Sequence, residues 1–269
     1  ILNMATGTGK TITSLNFVYE QFKINNFYRL IILVPTVALL HQWIDECIKF
    51  NFLNVFSSKN KDWKSRLSKI DFDFKNFEII QNFIFITTYS TFMRTSFQSF
   101  FKKIEKNKIT LIADECHNVG TQSLVSVLPH EINYRIGLSA TPERKYDLEG
   151  SNSMYDFFNS HPPCFTFSYS MLKAIKNRNL AKYFYYPIFC SLNEDELKKY
   201  KSYSKRLLMN YNDKTKTFTE EGKRLLIERK RIIHKSKDKL SKLNELLRKE
   251  ESLKYTFIYV PEGKEIDYE

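Results

Sequence analysis

The stretch that most constrains the fold of this chain is Met4-Ala5-Thr6-Gly7-Thr8-Gly9-Lys10-Thr11. It combines an apolar lead-in, two glycines separated by one residue, and a Lys-Thr pair that opens an amphipathic run. A loop that wraps several phosphates must point consecutive backbone N–H groups inward, and glycine adopts the required backbone angles without steric cost. The helix that follows such a loop directs its N-terminal amides and its dipole at the same anion. The stretch therefore predicts a phosphate-binding loop between a strand and a helix.

Six consecutive residues of this loop are predicted to bind nucleotide: Thr6, Gly7, Thr8, Gly9, Lys10 and Thr11. Lys10 can reach the β- and γ-phosphates as a point charge, and the Thr11 hydroxyl can bind Mg²⁺. The first glycine of the general pattern G-x-x-x-x-G-K-T is missing here. A glycine-bearing turn before an ordinary helix is the alternative, but the Gly-x-Gly-Lys-Thr spacing favours the phosphate loop.

Residues 1–140 alternate short apolar runs with helical periods. The predicted strands are residues 29–34, 83–87, 109–113 and 135–138, and the predicted helices are residues 11–22, 37–50 and a segment near 91–106. A continuous apolar run is typical of a strand buried on both faces of a parallel sheet. The order predicts an α/β fold, a three-layer sandwich around a mostly parallel sheet. Residues 51–82 are polar and aromatic with weak periodicity, and their pattern leaves their secondary structure open.

Polar clusters follow two of these strands directly. Asp114-Glu115-Cys116-His117 follows residues 109–113, and Ser139-Ala140-Thr141-Pro142 follows residues 135–138. Ligands of parallel sheets gather at the carboxyl ends of the strands. An Asp at such an end can hold Mg²⁺ opposite the loop threonine, and an adjacent Glu can polarise the attacking water. Two adjacent acids alone would favour an ordinary surface pair, but their place after a buried strand favours Asp114 and Glu115 as a catalytic pair of the Walker B type.

In this order and spacing, ATGTGKT, DECH and SATP resemble motifs I, II and III of the superfamily two helicases and translocases, in which this form of the first motif is frequent. Residues 34–43 (VPTVALLHQW) resemble motif Ia, and residues 86–92 (ITTYSTF) resemble the region around motif Ib. The V-P-T and L-x-x-Q-W forms look more like double-stranded-DNA motors than DEAD-box RNA helicases. Those motors include XPB-type repair helicases and type I and III restriction subunits. The resemblance covers residues 1 to about 145.

The resemblance implies a RecA-like fold with ATP and Mg²⁺ as cofactors. It implies that Lys10, Asp114 and Glu115 are catalytic, with Thr11 and Asp114 holding the metal and Glu115 acting as base. His117, Ser139 and Thr141 would couple the nucleotide state to the nucleic acid. The residues in regions that touch or border the nucleic-acid backbone would be Pro35, Thr36, Gln42 and Thr88. For His117 and Gln42 a merely structural polar role is an open alternative, and Cys116 is assigned no chemistry.

The resemblance also implies the domain organisation. We expect a first RecA-like ATP-binding domain over residues 1–148, a linker and basic helical region over 149–235, and the beginning of a second RecA-like domain over 236–269. We expect both domains to be truncated here. In this family an arginine of the second domain completes the ATP site, a contribution worth ~10³ to 10⁵ in rate in comparable enzymes. The chain by itself is therefore expected to bind nucleotide weakly and to hydrolyse ATP very slowly.

Four features of the second half are weaker. Aromatic residues 183–186 and Phe189 favour a strand packed on a sheet over a base-stacking platform, and Asn193 is expected to cap a basic helix. Leucines and isoleucine at a seven-residue spacing (Leu226, Ile233, Leu240 and Leu247) predict one or two helices over residues 221–250 with an interhelical seam. Residues 254–260 resemble the first strand of the second RecA-like domain.

Charge is concentrated in one region. The chain has a net charge of +12, and residues 198–254 hold 19 Lys or Arg against 8 Asp or Glu. A basic block of this kind indicates contact with a polyanion, most plausibly nucleic acid, although a solvated helix face in a lysine-rich protein is the alternative. The sequence holds no apolar run of ~18 residues for a membrane span and no C-x-x-C among its four cysteines, and we expect no signal peptide. We therefore expect a cytoplasmic protein, nucleoid-associated if bacterial.

Together these features predict an ATP-dependent nucleic-acid motor, a double-stranded-DNA helicase or translocase of the repair, restriction or phage-defence type. Its expected partner is duplex DNA, with nuclease, methylase or specificity partners and no membrane. Two alternatives stay open. One is an RNA-directed DECH-box helicase, and the other is a nucleic-acid-binding scaffold with an inactive motor.

Overall fold

A computed structural model describes residues 1–144, 147–212, 217–250 and 252–259, and the chain divides into two compact units, Ile1–Lys182 and Tyr183–Glu269. The first unit contains a seven-stranded sheet whose strands all pair in parallel. The strands are β1 (Leu2–Met4), β2 (Arg29–Val34), β3 (Val55–Ser57), β4 (Phe83–Thr88), β5 (Thr110–Asp114), β6 (Tyr134–Ser139) and β7 (Phe167–Tyr169). Their order in the sheet is β3-β4-β2-β5-β6-β1-β7.

Helices connect these strands and cover both faces of the sheet. They are α1 (Lys10–Asn25), α2 (Val37–Lys49), α3 (Trp63–Phe77), α4 (Tyr89–Phe92), α5 (Thr95–Phe101), α6 (Gln122–Val125), α7 (Leu148–Phe158) and α8 (Met171–Lys176), with a 3-10 turn at Cys116–Gly120. This arrangement confirms the RecA-like α/β sandwich that the sequence predicts.

Strand β2 shows why the sequence folds into three layers. All six of its residues are buried. Because successive strand side chains point to opposite faces, Ile31 and Leu33 enter one core, while Leu30, Ile32 and Val34 enter the other. Burial of each such side chain stabilises the fold by roughly 1.5–3 kcal/mol. The uninterrupted apolar run is therefore the consequence of a strand covered on both faces.

The structure differs from the sequence-based expectations in two segments of the first unit. The helix expected near residues 91–106 is divided into α4 and α5, because Arg94 has an extended backbone (ψ 135°) and starts a new helix. The weakly periodic residues 51–82 hold β3 and α3. Strand β3 pairs only on one side, with β4, among the described residues. A three-residue edge strand leaves little periodicity to detect.

The second unit is mostly helical. It contains α9 (Glu194–Met209), a short antiparallel pair of β8 (Tyr211–Asn212) and β9 (Thr217–Phe218), α10 (Glu220–His234) and α11 (Lys237–Leu247). Asn193 caps α9 as expected: its side chain accepts from the Glu196 amide, and the Glu196 side chain accepts from the Asn193 amide. None of the helices in the described ranges has the length and apolar content needed to span a bilayer.

Three expectations for this unit are wrong or lie partly outside the described residues. Residues 183–186 and Phe189 are exposed and belong to no strand. Helices α10 and α11 confirm the predicted helical segment at residues 221–250, but the seven-residue repeat does not form the expected seam, because Ile233 and Leu240 are exposed. Residues 254–259 form no strand, and Val260 lies outside the described residues. The roles of residues 149–235 as a linker and of 236–269 as the start of a second domain stay predictions.

Candidate nucleotide-binding site

The predicted phosphate loop joins β1 to α1 with a backbone that depends on two glycines. Gly7 and Gly9 have φ values of +80° and +89°, a region that other residues rarely adopt. Thr8 closes the loop, since its amide and its hydroxyl donate to the Ala5 carbonyl at 3.3 and 2.6 Å. Gly9 is the N-cap of α1, so no side chain accepts from the first amides of this helix, and its first turn holds no acid. Those amides suit an anion such as a phosphate.

Lys10 and Thr11 form the first turn of α1, and both are half-buried. The Lys10 ammonium donates to the Met4 carbonyl at 3.2 Å, which places it back across the loop. The Thr11 carbonyl accepts from the Ser14 hydroxyl at 2.8 Å. Thr6 and Gly7 are exposed. The loop therefore presents a cation, a hydroxyl and unshared amides together.

Asp114 ends β5 and is held from three directions. Its Oδ2 accepts from the indole Nε1 of Trp43 at 2.9 Å, and its Oδ1 accepts from the amide of Glu115 at 3.0 Å. The Asp114 carbonyl accepts from the Tyr89 hydroxyl at 2.7 Å. Burial raises the pKa of Tyr89 well above its ordinary value, so this phenol remains a donor. The sequence analysis did not identify Trp43 and Tyr89 as partners of Asp114. Trp43 lies in residues 34–43 and Tyr89 in residues 86–92, the segments that resemble motifs Ia and Ib, and each is a buried aromatic residue with a hydrogen-bond donor.

Glu115 follows with an unusual backbone. Its φ and ψ are +47° and +56°, the left-handed region that a residue other than glycine enters at a cost. The Glu115 carbonyl accepts from both the amide and the side-chain nitrogen of Asn118, at 3.0 and 2.8 Å, and these bonds hold the turn. Strain of this kind clusters at functional sites. The Glu115 side chain is half-buried, and its Oε2 lies 3.5 Å from Nδ1 of His117.

The predicted coupling residues His117, Ser139 and Thr141 lie together. Ser139 is fully buried, and its Oγ is 3.4 Å from His117 Nδ1 and accepts from the Thr141 amide at 3.1 Å. Arg144, which sequence reasoning missed, donates from Nη1 to the His117 carbonyl at 2.6 Å. A contact chain therefore runs from Glu115 through His117 to the end of β6.

Cys116 has a packing role in this turn. It is fully buried, and burial raises the pKa of its thiol to about 12. A Cβ on Gly137 of the neighbouring strand β6 would lie 3.1 Å from the Cys116 sulfur. The close approach of the turn to β6 therefore favours a small residue at position 137.

The sheet order brings these clusters to one edge. β6 lies between β5 and β1, with Leu138 opposite Asp114 and Ser139 opposite Asn3. Because all three strands are parallel, their carboxyl ends, which carry the acid pair, the coupling residues and the phosphate loop, share one side of the sheet.

The predicted nucleic-acid residues follow two strands at the same edge. Thr36 is exposed and caps α2 by accepting from the Leu39 amide at 3.2 Å, and Gln42 is exposed on that helix. Pro35 is half-buried. Thr88 is buried and opposite Val34, and its hydroxyl caps α4 by accepting from the Thr91 amide at 3.2 Å. Thr36 and Gln42 are therefore accessible, whereas the Thr88 hydroxyl serves its own helix.

The oxygen donors at this edge suit Mg²⁺. Within the described ranges no group of three His, Cys, Asp or Glu side chains could hold a metal ion. Magnesium usually keeps several waters and takes one or two protein ligands together with phosphate oxygens. A hydroxyl such as that of Thr11 and a carboxylate such as that of Asp114 match this pattern, so the residues fit a metal that arrives with a nucleotide.

Comparisons with solved structures give relatives of low identity. A nuclease-deletion mutant of the type ISP restriction-modification enzyme LlaGI, in complex with a DNA substrate mimic, is 19% identical (TM-score 0.46) over 83% of this chain. The Pyrococcus furiosus Hef helicase domain is 13% identical, with a TM-score of 0.49, over 94% of this chain. The Sulfolobus solfataricus SWI2/SNF2 ATPase core in complex with dsDNA is 19% identical, with a TM-score of 0.42, over 92% of this chain. The chain spans only 23%, 51% and 59% of these three chains, respectively.

No curated protein matches the sequence. A family model does, and it covers the phosphate loop, the DECH cluster, the SATP cluster and the sheet strands between them. The match is to the type III restriction enzyme res subunit family, over residues 1–144, which is more than half of the chain. The chain thus belongs to this family, and its first unit is a helicase-like domain of superfamily two.

Proposed function

We propose that this chain is the nucleotide-binding part of an ATP-driven motor that acts on duplex DNA. The observation that carries the proposal is the order β5-β6-β1, which places the acid pair, the coupling residues and the phosphate loop at adjacent strand ends. ATP hydrolysis needs phosphate binding and water activation in one place. A motor also needs residues beside that place that respond when the γ-phosphate is lost.

Each residue has a proposed part in hydrolysis. The amides of Gly7 and Gly9 and the first turn of α1 bind the phosphates, and Lys10 neutralises charge on the β- and γ-phosphates. Thr11 and Asp114 would hold Mg²⁺, which would supply positive charge to offset that of the phosphates. Glu115 orients the attacking water and accepts its proton.

The coupling residues would respond to hydrolysis. Ser139 contacts both His117 and Thr141, and His117 lies beside Glu115. A change at Glu115 on loss of the γ-phosphate would therefore reach the end of β6 through direct contacts. Thr36 and Gln42, exposed at the same edge, would contact the nucleic-acid backbone.

Duplex DNA is the proposed track because the chain belongs to a restriction-subunit family and carries the V-P-T and L-x-x-Q-W forms. The basic residues between 198 and 254 supply further positive charge for the polyanion. We propose cytoplasmic action with nuclease, methylase or specificity partners, as is expected of a restriction or defence motor.

The test is ATP turnover by the natural protein that contains these residues, measured at a stated salt concentration with duplex DNA, duplex RNA and single strands. We expect the largest stimulation with duplex DNA, loss of turnover in Lys10→Ala and Glu115→Gln, and retained nucleotide binding in Glu115→Gln. Stimulation by duplex RNA alone would instead indicate an RNA-directed motor. Full cellular function of Lys10→Ala would indicate a scaffold.

A further inference from the structure

Two buried aromatic residues hold Asp114. Trp43 is 1% exposed and donates to the carboxylate, whereas Tyr89 is 5% exposed and donates to the backbone carbonyl of the same residue. Both hydrogen bonds are buried. A buried carboxylate needs donors to offset the loss of water, and a neutral N–H fixes its orientation without cancelling its charge. The carboxylate of Asp114 is therefore held in a defined direction.

The positions of these two donors in the chain are informative. Trp43 is the neighbour of Gln42, which is exposed on α2, and α2 begins after Thr36. Tyr89 is the first residue of α4, directly after the cap Thr88. Both helices start at the ends of paired strands, since Val34 lies opposite Thr88. Gln42, which is proposed to contact nucleic acid, thus adjoins Trp43, and the buried cap residue Thr88 adjoins Tyr89.

We propose that Trp43 and Tyr89 are positioning residues that orient Asp114 for Mg²⁺ and tie it to the helices facing the nucleic acid. The inference rests on the proposed function. A tilt or shift of α2 when nucleic acid contacts Thr36 and Gln42 would move the indole N–H and with it the carboxylate. The bond from Trp43 is the direct one, because it reaches the carboxylate itself.

A purely structural role is the competing explanation, because any buried carboxylate needs a donor. The two explanations differ in what they predict for the metal. A structural hydrogen bond affects stability and leaves the magnesium dependence of nucleotide binding unchanged. A positioning bond affects the affinity for nucleotide specifically when Mg²⁺ is present, and partners of metal ligands typically change metal affinity or activity 10–100-fold when lost.

The first experiment observes the hydrogen bond itself. The chain has two tryptophans, Trp43 and Trp63, so its ¹⁵N-labelled form gives two indole N–H signals, and Trp63→Phe assigns them. We expect the Trp43 signal to shift on addition of ADP with Mg²⁺, and again on addition of a DNA duplex, while the Trp63 signal stays in place. An unchanged Trp43 signal, under conditions where the amides of Gly7 and Gly9 shift, would overturn the inference.

The second experiment removes the donor. Trp43→Phe keeps an aromatic ring without the N–H, and we expect its affinity for a fluorescent ADP analogue to fall about tenfold with Mg²⁺ and to stay unchanged in EDTA. If this variant folds poorly, replacing Trp43 by β-(3-benzothienyl)alanine in the Trp63→Phe background keeps the shape and removes only the N–H. Tyr89→Phe tests the carbonyl contact in the same way, with a smaller expected loss.

Lys10→Ala separates this inference from the function on which it rests. If Lys10→Ala weakens nucleotide binding while Trp43→Phe changes nothing, the site stands and the positioning role is wrong. If Trp43→Phe weakens binding equally with Mg²⁺ and in EDTA, its role is structural and the inference also fails. If Lys10→Ala has no effect, the proposed nucleotide site is itself wrong.

Discussion

Leu180 lies against Gly7 of the phosphate loop: a Cβ placed on Gly7 would be 3.2 Å from Leu180 Cδ2. The contact arises because β7 pairs with β1 and α8 follows β7 directly. After α8, the amide of Leu180 donates to the Ala174 carbonyl at 3.2 Å, which turns the chain back towards the loop. Two features therefore restrict which side chain position 7 can carry: its left-handed backbone and the neighbouring Leu180 side chain.

Double-mutant cycles with Leu180→Ala should distinguish Gly7→Ala from Gly9→Ala. Both substitutions force a side chain into a left-handed conformation, at about 1–2 kcal/mol in unfolding free energy. Only the Gly7 substitution also meets Leu180, since nothing lies within 4 Å of a Cβ on Gly9. In urea unfolding we expect Leu180→Ala to couple with Gly7→Ala by at least about 0.5 kcal/mol and to be additive with Gly9→Ala. Equal additivity in both cycles would contradict the contact.

Thr36 offers a test that separates helix capping from nucleic-acid contact. Thr36→Ala should lower the unfolding free energy by about 1 kcal/mol, because the cap of α2 is lost. Thr36→Asp and Thr36→Asn both keep a capping oxygen, and only the Asp adds a negative charge. We expect Thr36→Asp to weaken duplex-DNA binding in fluorescence anisotropy at low salt, with Thr36→Asn as its matched control. Equal affinities of these two variants would place Thr36 away from the phosphates.

The four cysteines should differ in reactivity according to their burial. Burial raises the pKa of Cys47 and Cys116 to about 12, whereas Cys164 and Cys190 are exposed. Because the thiolate is the reactive form, iodoacetamide near neutral pH should modify Cys164 and Cys190 and spare the buried pair until the protein unfolds. Mass spectrometry of the native and urea-unfolded protein checks this. Rapid native labelling of Cys116 would contradict its burial.

The same burial predicts a loss of stability at alkaline pH. The folded pKa of Cys116 lies above its unfolded value of 9.0, so between about pH 9 and 12 the unfolded chain loses a proton that the folded chain keeps. The unfolding free energy should therefore fall as the pH rises through this window. Cys116→Ala should make that slope shallower by up to about 1.4 kcal/mol per pH unit. An unchanged slope would mean that Cys116 does not contribute to the pH dependence of the unfolding free energy.

Helix α9 provides a test of the basic region. Lys198, Lys201 and Lys205 are exposed and share one face of this helix, and no salt bridge in the described part of the chain involves them. If they contact DNA phosphates, changing all three to Gln should reduce the slope of log K against log salt by up to about 3. Lys23→Gln and Lys49→Gln are the control, because those lysines pair with Glu20 and Glu46. An unchanged slope in the α9 variant would identify a solvated face.

The sequence predicted the parts of the fold where one physical requirement dominates. The apolar residues 30–34 of strand β2 were predictable, because burial of a strand on both faces requires such a run, whereas the burial of Arg29 at its start was not. The turn between β1 and α1 was predictable, because its positive φ values favour glycines, whereas its role in phosphate binding stays a prediction. In contrast, the aromatic group at residues 183–186 was apolar enough for a strand, but a strand also needs a partner, and its own sequence does not specify one.

The sequence indicated the polar residues that meet at the candidate site, but not the side chains that hold them; the roles of those polar residues stay predictions. Asp114 and Glu115 stand beside each other in the sequence, whereas Trp43 and Tyr89 reach Asp114 from 71 and 25 residues away. Only the sheet order brings those partners together. For the same reason Leu180 could not be associated with Gly7, since their contact depends on the pairing of β7 with β1.

The placement of β1 between β6 and β7 has a consequence for how the protein reaches its native state. Leu2 pairs with Leu138 and Phe167, partners that come 136 and 165 residues later. During synthesis this strand must wait, unpaired, until those residues leave the ribosome, and closure of such long loops slows folding. The predicted phosphate loop, which follows β1, would then be among the last elements to form. ATP-binding competence should report completion of the whole sheet, and a nascent chain ending before β7 should have secondary structure without a nucleotide site.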